Sequence, residues 1–558
     1  MNKSASANKR IFGIAVACAI GLAAASTSVA NAGTPAVGRT AASTTPPTGN
    51  IIVPAGGSIP TASRDTAAAS QATKPIELGL NGAILLALRQ NPQILVQRYG
   101  PALAQNAIEA QRAVYDPQLS AGLSGGNSRG GSSGGYSTNN SLNGYFSAQQ
   151  LFPTGTTVQA GVNSSLNNGE GAGESDSTSL SLTVTQALLN GGSIQANLAA
   201  IHEAELGRRI SDYNLQGVAL SVASQVEQAY WNYALAITNI GIVQDALRVA
   251  EEQEQQTREL IRVGRTAGSQ LPAAVAQVAL ERESLISAQG NLKITRITLL
   301  SLISTPHSAF WRHTVILTNL PTPPRDLPAP VATHVKLALK LSPLINETRL
   351  QIQQNDLQVV QTRNGLLPKL DVFITLGKTG YANSFGQAIG NLHGSDYQAL
   401  AGVTYNYPLF NRAPRAAYNN ALLTRDQQEA ALANLVQQVQ LAVRSDYITT
   451  ETDREQISAT HATSLAQAEA LRSEIGQFRV GATTSLQVAV AQSNLLSAKL
   501  AEAQAVVAYL NARSQLYLEE GSLLERHGVA SPGSVPLQIS GPSWLRRWPD
   551  GYFAGPVK

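Results

Sequence analysis

The chain has 558 residues, and charged side chains make up only 14% of them, against about 25% in an ordinary soluble domain. The formal charge is +4, but Lys3, Lys9 and Arg10 lie in a segment that reads as removable, and without those three the balance is +1. The sequence pI near 9.0 is therefore no argument for nucleic acid, and a surface rich in Gly, Ser, Ala, Thr, Asn and Gln suits neither a conventional core nor plain cytosol.

The N terminus reads as a secretory signal over residues 1–32. Lys3, Lys9 and Arg10 supply a positive start, residues 11–25 (IFGIAVACAIGLAAA) an apolar run, and Ala30-Asn31-Ala32 a small-residue cleavage site. The sequence holds one cysteine, Cys18. A lipoprotein would be cut before it, but the apolar run continues past Cys18 and Ala15 is a poor residue three places upstream. Cys18 reads as a small apolar residue lost with the signal, which leaves no disulfide framework and no thiolate metal site. No later stretch has 18 consecutive apolar residues, so no transmembrane helix is expected. The exported chain is either soluble or crosses a membrane as strands.

Residues 33–75, rich in Ala, Thr, Ser, Pro and Gly, read as a disordered leader. A helical pattern then runs to Tyr115, where Asp116-Pro117 stops it. Residues 118–187 read as strands with room for four, near 118–126, 143–151, 156–165 and 178–187. A long helix is predicted over 194–263, a break at VGRTAGSQLP, and a second helix over 271–304. Residues 305–330 hold six prolines and read as a linker. The order then recurs: helix, strands over 369–408 (near 369–377 and 399–408), a long helix over 412–479 and a helix over 486–525. Residues 530–558 read as a loose tail.

The recurrence is a tandem duplication of 76–304 in 331–529. ALRQNPQI (87–94) matches ALKLSPLI (338–345), and Pro117-Gln118-Leu119 matches Pro368-Lys369-Leu370 at the same offset. Arg262-Val263-Gly264 matches Arg479-Val480-Gly481, and TQALLNGG (185–192) corresponds to NYPLFNRA (406–413). Within the long helices Val226, Tyr230, Tyr233, Ile237 and Ile240 step by fours and threes, as do Leu432, Val436, Val439 and Val443. That spacing predicts coiled-coil seams, which a simple rod-like dimer would also show. The breaks instead predict that each helix returns as an antiparallel hairpin.

The strands alternate strictly. In SLSLTVT (179–185) Leu180, Leu182 and Val184 share one face and Ser or Thr the other; TVQAGVN, LDVFITL and GVTYNY alternate likewise. An apolar face opposite small polar groups is the pattern of a membrane β-barrel, although a β-sandwich also alternates. The glycine-rich stretches NSRGGSSGGYSTNN and NNGEGAGESD suit a barrel's outer mouth. Phe146, Phe152, Tyr405, Tyr407 and Phe410 suit either aromatic girdles or a core. Gly191 and Gly192 on one side and Pro408 on the other mark the bends where strand gives way to helix.

Together these features resemble the TolC family of outer-membrane efflux proteins over roughly 76–529. The resemblance rests on Asn91-Pro92 with Pro117-Gln118-Leu119, the exit TVTQALLNGG, and the paired breaks RVGRTAGSQL and FRVGATTSLQ. It implies an α+β membrane protein: a homotrimer whose shared transmembrane β-barrel continues into a long periplasmic α-helical coiled-coil barrel. It implies a Gram-negative outer-membrane location with a large periplasmic portion. The partners implied are a periplasmic adaptor, an inner-membrane RND or ABC transporter and outer-membrane lipid, with no nucleic acid. The implied function is the passive exit duct of a tripartite efflux pump. A polypeptide channel of type I secretion, or a soluble periplasmic coiled-coil adaptor, are the alternatives.

By the same resemblance Arg262, Val263, Gly264, Arg479, Val480 and Gly481 are the adaptor-docking tips, although each glycine would also simply end a helix. Gln270, Phe478, Thr483, Gln487 and Val490 fall where the family places aspartates and a tyrosine–arginine network at the periplasmic constriction. The acidic ring is thus missing and weak block by multivalent cations is expected. The family norm is two strands per repeat, whereas the first repeat here has room for four. The expectation is six strands per chain, eighteen per trimer if all join the barrel, with an extra hairpin folded over a rim as the alternative. The seven histidines lack ligand spacing, no phosphate loop is present and no nucleophile–base set is evident. Neither catalytic residues nor a cofactor or metal are expected.

Overall fold

The computed structural model describes residues 76–132, 135–169, 173–305, 311, 314–322 and 329–529. The expected signal, leader and tail lie outside them. In chain order the elements are β1 (Ile76–Leu78), α1 (Leu80–Gln90), α2 (Pro92–Gln97) and α3 (Tyr99–Arg112), then β2 (Gln118–Ser132), β3 (Gly135–Leu151), β4 (Thr156–Gly169) and β5 (Gly173–Ala187). The first hairpin of helices is α4 (Ile194–Arg262) and α5 (Leu271–Ile303), followed by β6 (Val315–Leu317). The second repeat runs α6 (Val331–Leu341), α7 (Pro343–Gly365), β7 (Lys369–Ala382), α8 (Phe385–Gly390), β8 (Tyr397–Asn406), α9 (Arg412–Arg479), α10 (Ser485–Glu520) and α11 (Leu523–Arg526).

Six strands form one antiparallel sheet in the order β2-β3-β4-β5-β7-β8. The hairpin that doubles the first repeat's strands is thus a full member of the sheet and not a flap beside it. Its strands are longer than the sequence pattern delimits, because the glycine-rich segments continue the ladder past the alternating stretch: β2 pairs with β3 as far as Ser132 with Gly135. Below the sheet, helix neighbours follow the order α3-α4-α7-α9, and each of these helices connects directly to a strand. Farther along, α4 and α5 form one antiparallel hairpin, α9 and α10 the other, and α10 packs on α4.

The expected linker is more ordered than its prolines suggest. Val315–Leu317 within it pairs in parallel with Ile76–Leu78. The α4 seam residues hold this small ribbon: the Tyr233 hydroxyl donates to the Val315 carbonyl at 3.0 Å, and the Tyr230 hydroxyl lies 3.2 Å from the Leu78 carbonyl and accepts from the Asn319 N–H at 3.1 Å. Tyr230 and Tyr233 therefore clasp the ribbon through their hydroxyls while their rings stay buried in the helix core. Their apolar neighbours Val226, Leu299, Leu300, Ile303, Val507 and Leu510 form the main core. In the second repeat Val439 and Val443 do meet helix partners, packing with Ala338, Ile345 and Leu516.

The first helical segment is also divided. Asn91 caps α2, accepting from Gln93 N–H at 2.8 Å and donating to the Leu302 carbonyl at 2.9 Å, and Pro92 occupies the first turn, where a missing N–H costs nothing. Ser342-Pro343 repeats this break between α6 and α7.

Candidate functional site

Register assigns every strand residue to a face. Directly opposed residues share a face, so the row Leu119, Ala148, Ala160, Leu182, Leu376 and Ala399 runs across all six strands. The row above it, Ala121, Phe146, Val162, Leu180, Lys378 and Tyr397, is apolar except for Lys378. Leu119, Val403 and Tyr397 are 69%, 65% and 78% exposed in the single chain, a continuous apolar surface that must be covered by something other than water. Tyr405 joins this apolar face.

The opposite face is polar and almost uncharged. The row Gln118, Gln149, Gln159, Thr183, Thr375 and Leu400 is typical. Hydroxyls pair across strands, Ser120 with Ser147 at 2.7 Å and Thr183 with Thr375 at 3.0 Å. Lys369 and Asp371 are the only charged residues that the six strands place on this face, and they pair with each other at 3.6 Å at its foot. Near each edge an aromatic ring covers a glycine: Tyr145 lies over Gly122 and Phe373 over Gly402. The glycines at these positions leave room for the rings, which in turn cover backbone that would otherwise be bare.

The strands meet the helices at two joints. At the first, Gly191 adopts φ +88°, and a Cβ on Gly192 would press on the Ala187 carbonyl at 2.8 Å. The tight β3–β4 turn docks here. Gly155, at φ +78°, has no room for a Cβ against the Gly191 carbonyl, and the Ala187 N–H donates to the Gly155 carbonyl at 3.1 Å. Asn197 reaches from α4 to the Pro153 and Gly191 carbonyls at 2.9 and 2.8 Å. At the second joint Pro408 lies three residues ahead of the left-handed residue, which is Asn411 at φ +44°. Its side chain donates to the Leu366 carbonyl at 3.0 Å. Asn tolerates this conformation better than most residues, so the bend falls at Asn411 and not at Pro408.

At the far end the two hairpins turn with the same device. Gly264 at φ +73° donates to the Ile261 carbonyl, and the Arg265 N–H to that of Leu260. Gly481 at φ +79° donates to Phe478, and Ala482 to Gln477. Both are Schellman caps, in which a left-handed residue lets two N–H groups satisfy the last carbonyls of the helix. Arg262, Val263, Arg479 and Val480 are exposed beside them. The two tips touch: Arg265 donates to the Arg479 carbonyl at 3.2 Å, and Ser485 N–H and hydroxyl both reach the Gln270 side-chain oxygen, at 3.0 and 2.8 Å.

The expected constriction set divides. Gln487 and Val490 are exposed and Thr483 half-buried. Gln270 is engaged in tying the tips together. Phe478 leaves the set, because its ring is buried among Leu471, Val488 and Ala491. An apolar ring one residue before the exposed end of its helix gains more by packing between the hairpin's own helices than by facing water.

The polar groups buried at mid-height were not legible in the sequence. Glu227 accepts from Trp231 Nε1 at 3.3 Å and Ser514 Oγ at 2.9 Å and faces His527 Nε2 at 3.2 Å. Burial pushes its carboxyl up, but His527, Ser514 and Trp231 together hold it below the usual range. Glu520, fully buried, meets His334 Nδ1 and Arg526 at 3.2 Å. Serine, histidine and carboxylate here do not make a nucleophilic set: Ser514 and His527 both meet the same carboxylate oxygen, so the imidazole is not placed to take the serine proton. Asp446 on α9 is pushed up to about 6, by burial first and then by the Glu519 charge. Among the described residues no metal-ligating group of three comes together, and no helix is long and apolar enough to cross a membrane.

Comparison with known proteins gives the same picture. The outer membrane protein TolC of Escherichia coli K12 is 23% identical over 376 residues, 66% of this chain and 74% of its own. Among solved structures CusC superposes with a TM-score of 0.62 at 15% identity, over 80% of this chain and 93% of its own. The outer membrane channel CmeC of Campylobacter jejuni follows at 0.60 and 17%, over 80% and 86%. At such identities the likeness is one of fold. The family model for outer membrane efflux proteins matches residues 83–305 and 334–521, one segment in each repeat, and the chain therefore belongs to that family.

Proposed function

We propose that three copies of this chain form a passive exit duct in the outer membrane of a Gram-negative bacterium, with the helices in the periplasm. The observation that carries the reading is the sheet itself. It has an apolar face, a polar face and two unpaired edges, β2 and β8. Open edges do not persist in hydrocarbon, so the sheet closes only with further copies. Lipid then covers the Leu119–Ala399 face and the hydroxyl-rich face lines the pore. The alternative of a soluble adaptor leaves that apolar face without a partner.

Substrates enter from an RND or ABC transporter of the inner membrane through a periplasmic adaptor docked on Arg262, Val263, Gly264, Arg479, Val480 and Gly481. The constriction above them is lined by Thr483, Gln487 and Val490, without fixed charge. Fractionation tests the duct: a heat-modifiable oligomer in outer membranes is expected, and a soluble or inner-membrane protein would overturn the reading. For docking, Arg479→Glu is expected to abolish efflux with the assembly intact; unchanged efflux would count against it.

A further inference from the structure

We infer that the loop between β7 and β8 docks on the outside of the barrel wall and meets the phosphate-bearing lipid head groups of the outer leaflet, rather than reaching over the mouth of the pore. The inference rests on the barrel reading above and goes beyond it by assigning a partner to one loop. The ladder shows which face the loop takes. Val372, Ile374, Leu376, Lys378 and Gly380 alternate along β7 on the apolar face, and the pairing with β5 runs unbroken from Asp371 to Ala382, with Gly380 opposite Thr178. The helix α8 packs on both β7 and β5. A Cβ on Gly380 would strike the Ala388 carbonyl oxygen, so α8 lies on the outward side. Ala388 is buried, as are Thr178 and Asp176 on the outward face of β5. The Asn391 side chain donates to the Tyr381 carbonyl at 2.7 Å and ties the following turn to the strand. Thus α8 covers the rows where the outward face stops being apolar, and leaves Ile389 43% exposed.

Height identifies what lies opposite. Gly380 is ten residues beyond Leu370 at the foot of β7. At about 3.3 Å per residue and a tilt of about 40°, that is about 25 Å along the membrane normal. The apolar band of an outer-membrane barrel is also about 25 Å tall, so α8 sits where hydrocarbon gives way to head groups. Two side chains on the outward face mark the same border. Lys378 is exposed and is the first charged residue that this face presents above its apolar rows. Its Nζ reaches toward the loop, 3.4 Å from the Gly394 carbonyl. A lysine rooted at the edge of an apolar surface lays its stem along it and lifts its ammonium to the polar layer. Tyr397, opposite Lys378, is 78% exposed, and tyrosine is enriched at this border. Of the nearby acids, Asp176 is buried beneath α8, and Asp396, one residue before Tyr397 and bonded to Thr379 N–H, alternates to the lumen side. An exposed ammonium and phenol at this height suit a lipid phosphate.

Depth-resolved fluorescence quenching of the full chain, reconstituted as its oligomer, tests this. The one cysteine, Cys18, lies in the expected signal, so Ile389→Cys, Leu182→Cys and Tyr381→Cys each carry a single bimane label. The vesicles hold phosphatidylcholine and phosphatidylglycerol, with a nitroxide either on the head group or deep in the acyl chain, and iodide probes the water. The Ile389 label is expected to be quenched most by the head-group nitroxide and the Leu182 label by the acyl-chain nitroxide. The Tyr381 label, on the lumen face opposite Ser177, is expected to answer to iodide. Quenching of Ile389 by iodide alone, with Leu182 still quenched from lipid, would overturn the docking and leave the barrel standing. Iodide alone at both sites would overturn the barrel reading as well. For the phosphate contact, the Ile389 label is expected to be quenched more by a nitroxide on phosphatidylglycerol than by one on phosphatidylcholine, and Lys378→Gln to abolish that preference at unchanged depth. Equal quenching by the two lipids in the parent chain, or a preference that survives the substitution, would overturn recognition of phosphate by Lys378.

Discussion

The two repeats end their long helices identically and begin them differently. At the tips, Val263-Gly264 and Val480-Gly481 make the same cap with the same pair of hydrogen bonds. At the joints, the positions aligned with Asn190-Gly191 hold Asn411-Arg412, and the left-handed residue moves from the glycine to the asparagine. The tips are local problems: a helix must stop and turn, and a Cβ on either glycine would point into open space. The joints are tertiary problems. The first receives the β3–β4 turn, whose Gly155 presses on the Gly191 carbonyl; the second repeat has no such hairpin, so its joint can carry side chains. A duplication thus keeps what the chain solves locally and changes what a neighbouring element imposes.

The first joint should therefore be the most sensitive point. Gly155→Ala is expected to cost about 3 kcal/mol or more, because positive φ and a backbone collision act together. Gly191→Arg, which copies the second joint into the first, should cost about 2 kcal/mol or more, whereas Arg412→Gly should cost under about 1 kcal/mol. The melting midpoint of the heat-modifiable assembly measures all three. Equal losses at the two joints would break the comparison.

Asn411→Ala comes next, at about 2 kcal/mol, since it loses both the bond to the Leu366 carbonyl and a side chain tolerant of φ +44°. Asn411→Gly should lose about half as much. At the tips, Gly264→Ala and Gly481→Ala should each cost about 1 kcal/mol and resemble each other closely, because only the φ penalty operates there.

A pH-dependent effect no larger than the tip losses is expected midway between joint and tip. Asp446 binds its proton up to about pH 6 in the fold, above its unfolded value, so its charged form is disfavoured and stability falls as pH rises from about 4 to 6. Asp446→Asn should then stabilise by about 1 kcal/mol above pH 6, after allowance for solvent screening, and by nothing near pH 4. Thermal melts across that range check the sign. Stabilisation confined to acid would reverse the assignment.

Much of this was readable from residue order. Alternation of Leu or Val with Ser or Thr marked both faces of β5, and the break VGRTAGSQLP placed a hairpin end that falls at Arg262, within a residue of expectation. The second long helix has its expected bounds, Arg412–Arg479. The strands ran past their expected ends because glycine-rich sequence has no strand signature, yet its backbone pairs once a neighbour supplies the ladder. The ribbon of Ile76–Leu78 and Val315–Leu317 was hidden because three-residue strands leave no period to read. Phe478 was placed by alignment at a constriction, and burial moved it into the hairpin's interior.

By itself the sequence determined what depends on neighbours along the chain: two repeats, strands with one apolar face, helices that stop at Gly264 and Gly481. These follow from the periods of side-chain direction and from the backbone freedom of glycine, which act over a few residues. Only the tertiary structure decided that all six strands share one sheet, that Tyr230 and Tyr233 clasp a ribbon, and that Glu227 meets Ser514 and His527. Each of these joins residues far apart in the chain, where no local period carries information and the cost of leaving backbone or carboxylate unpaired in the interior selects the partner.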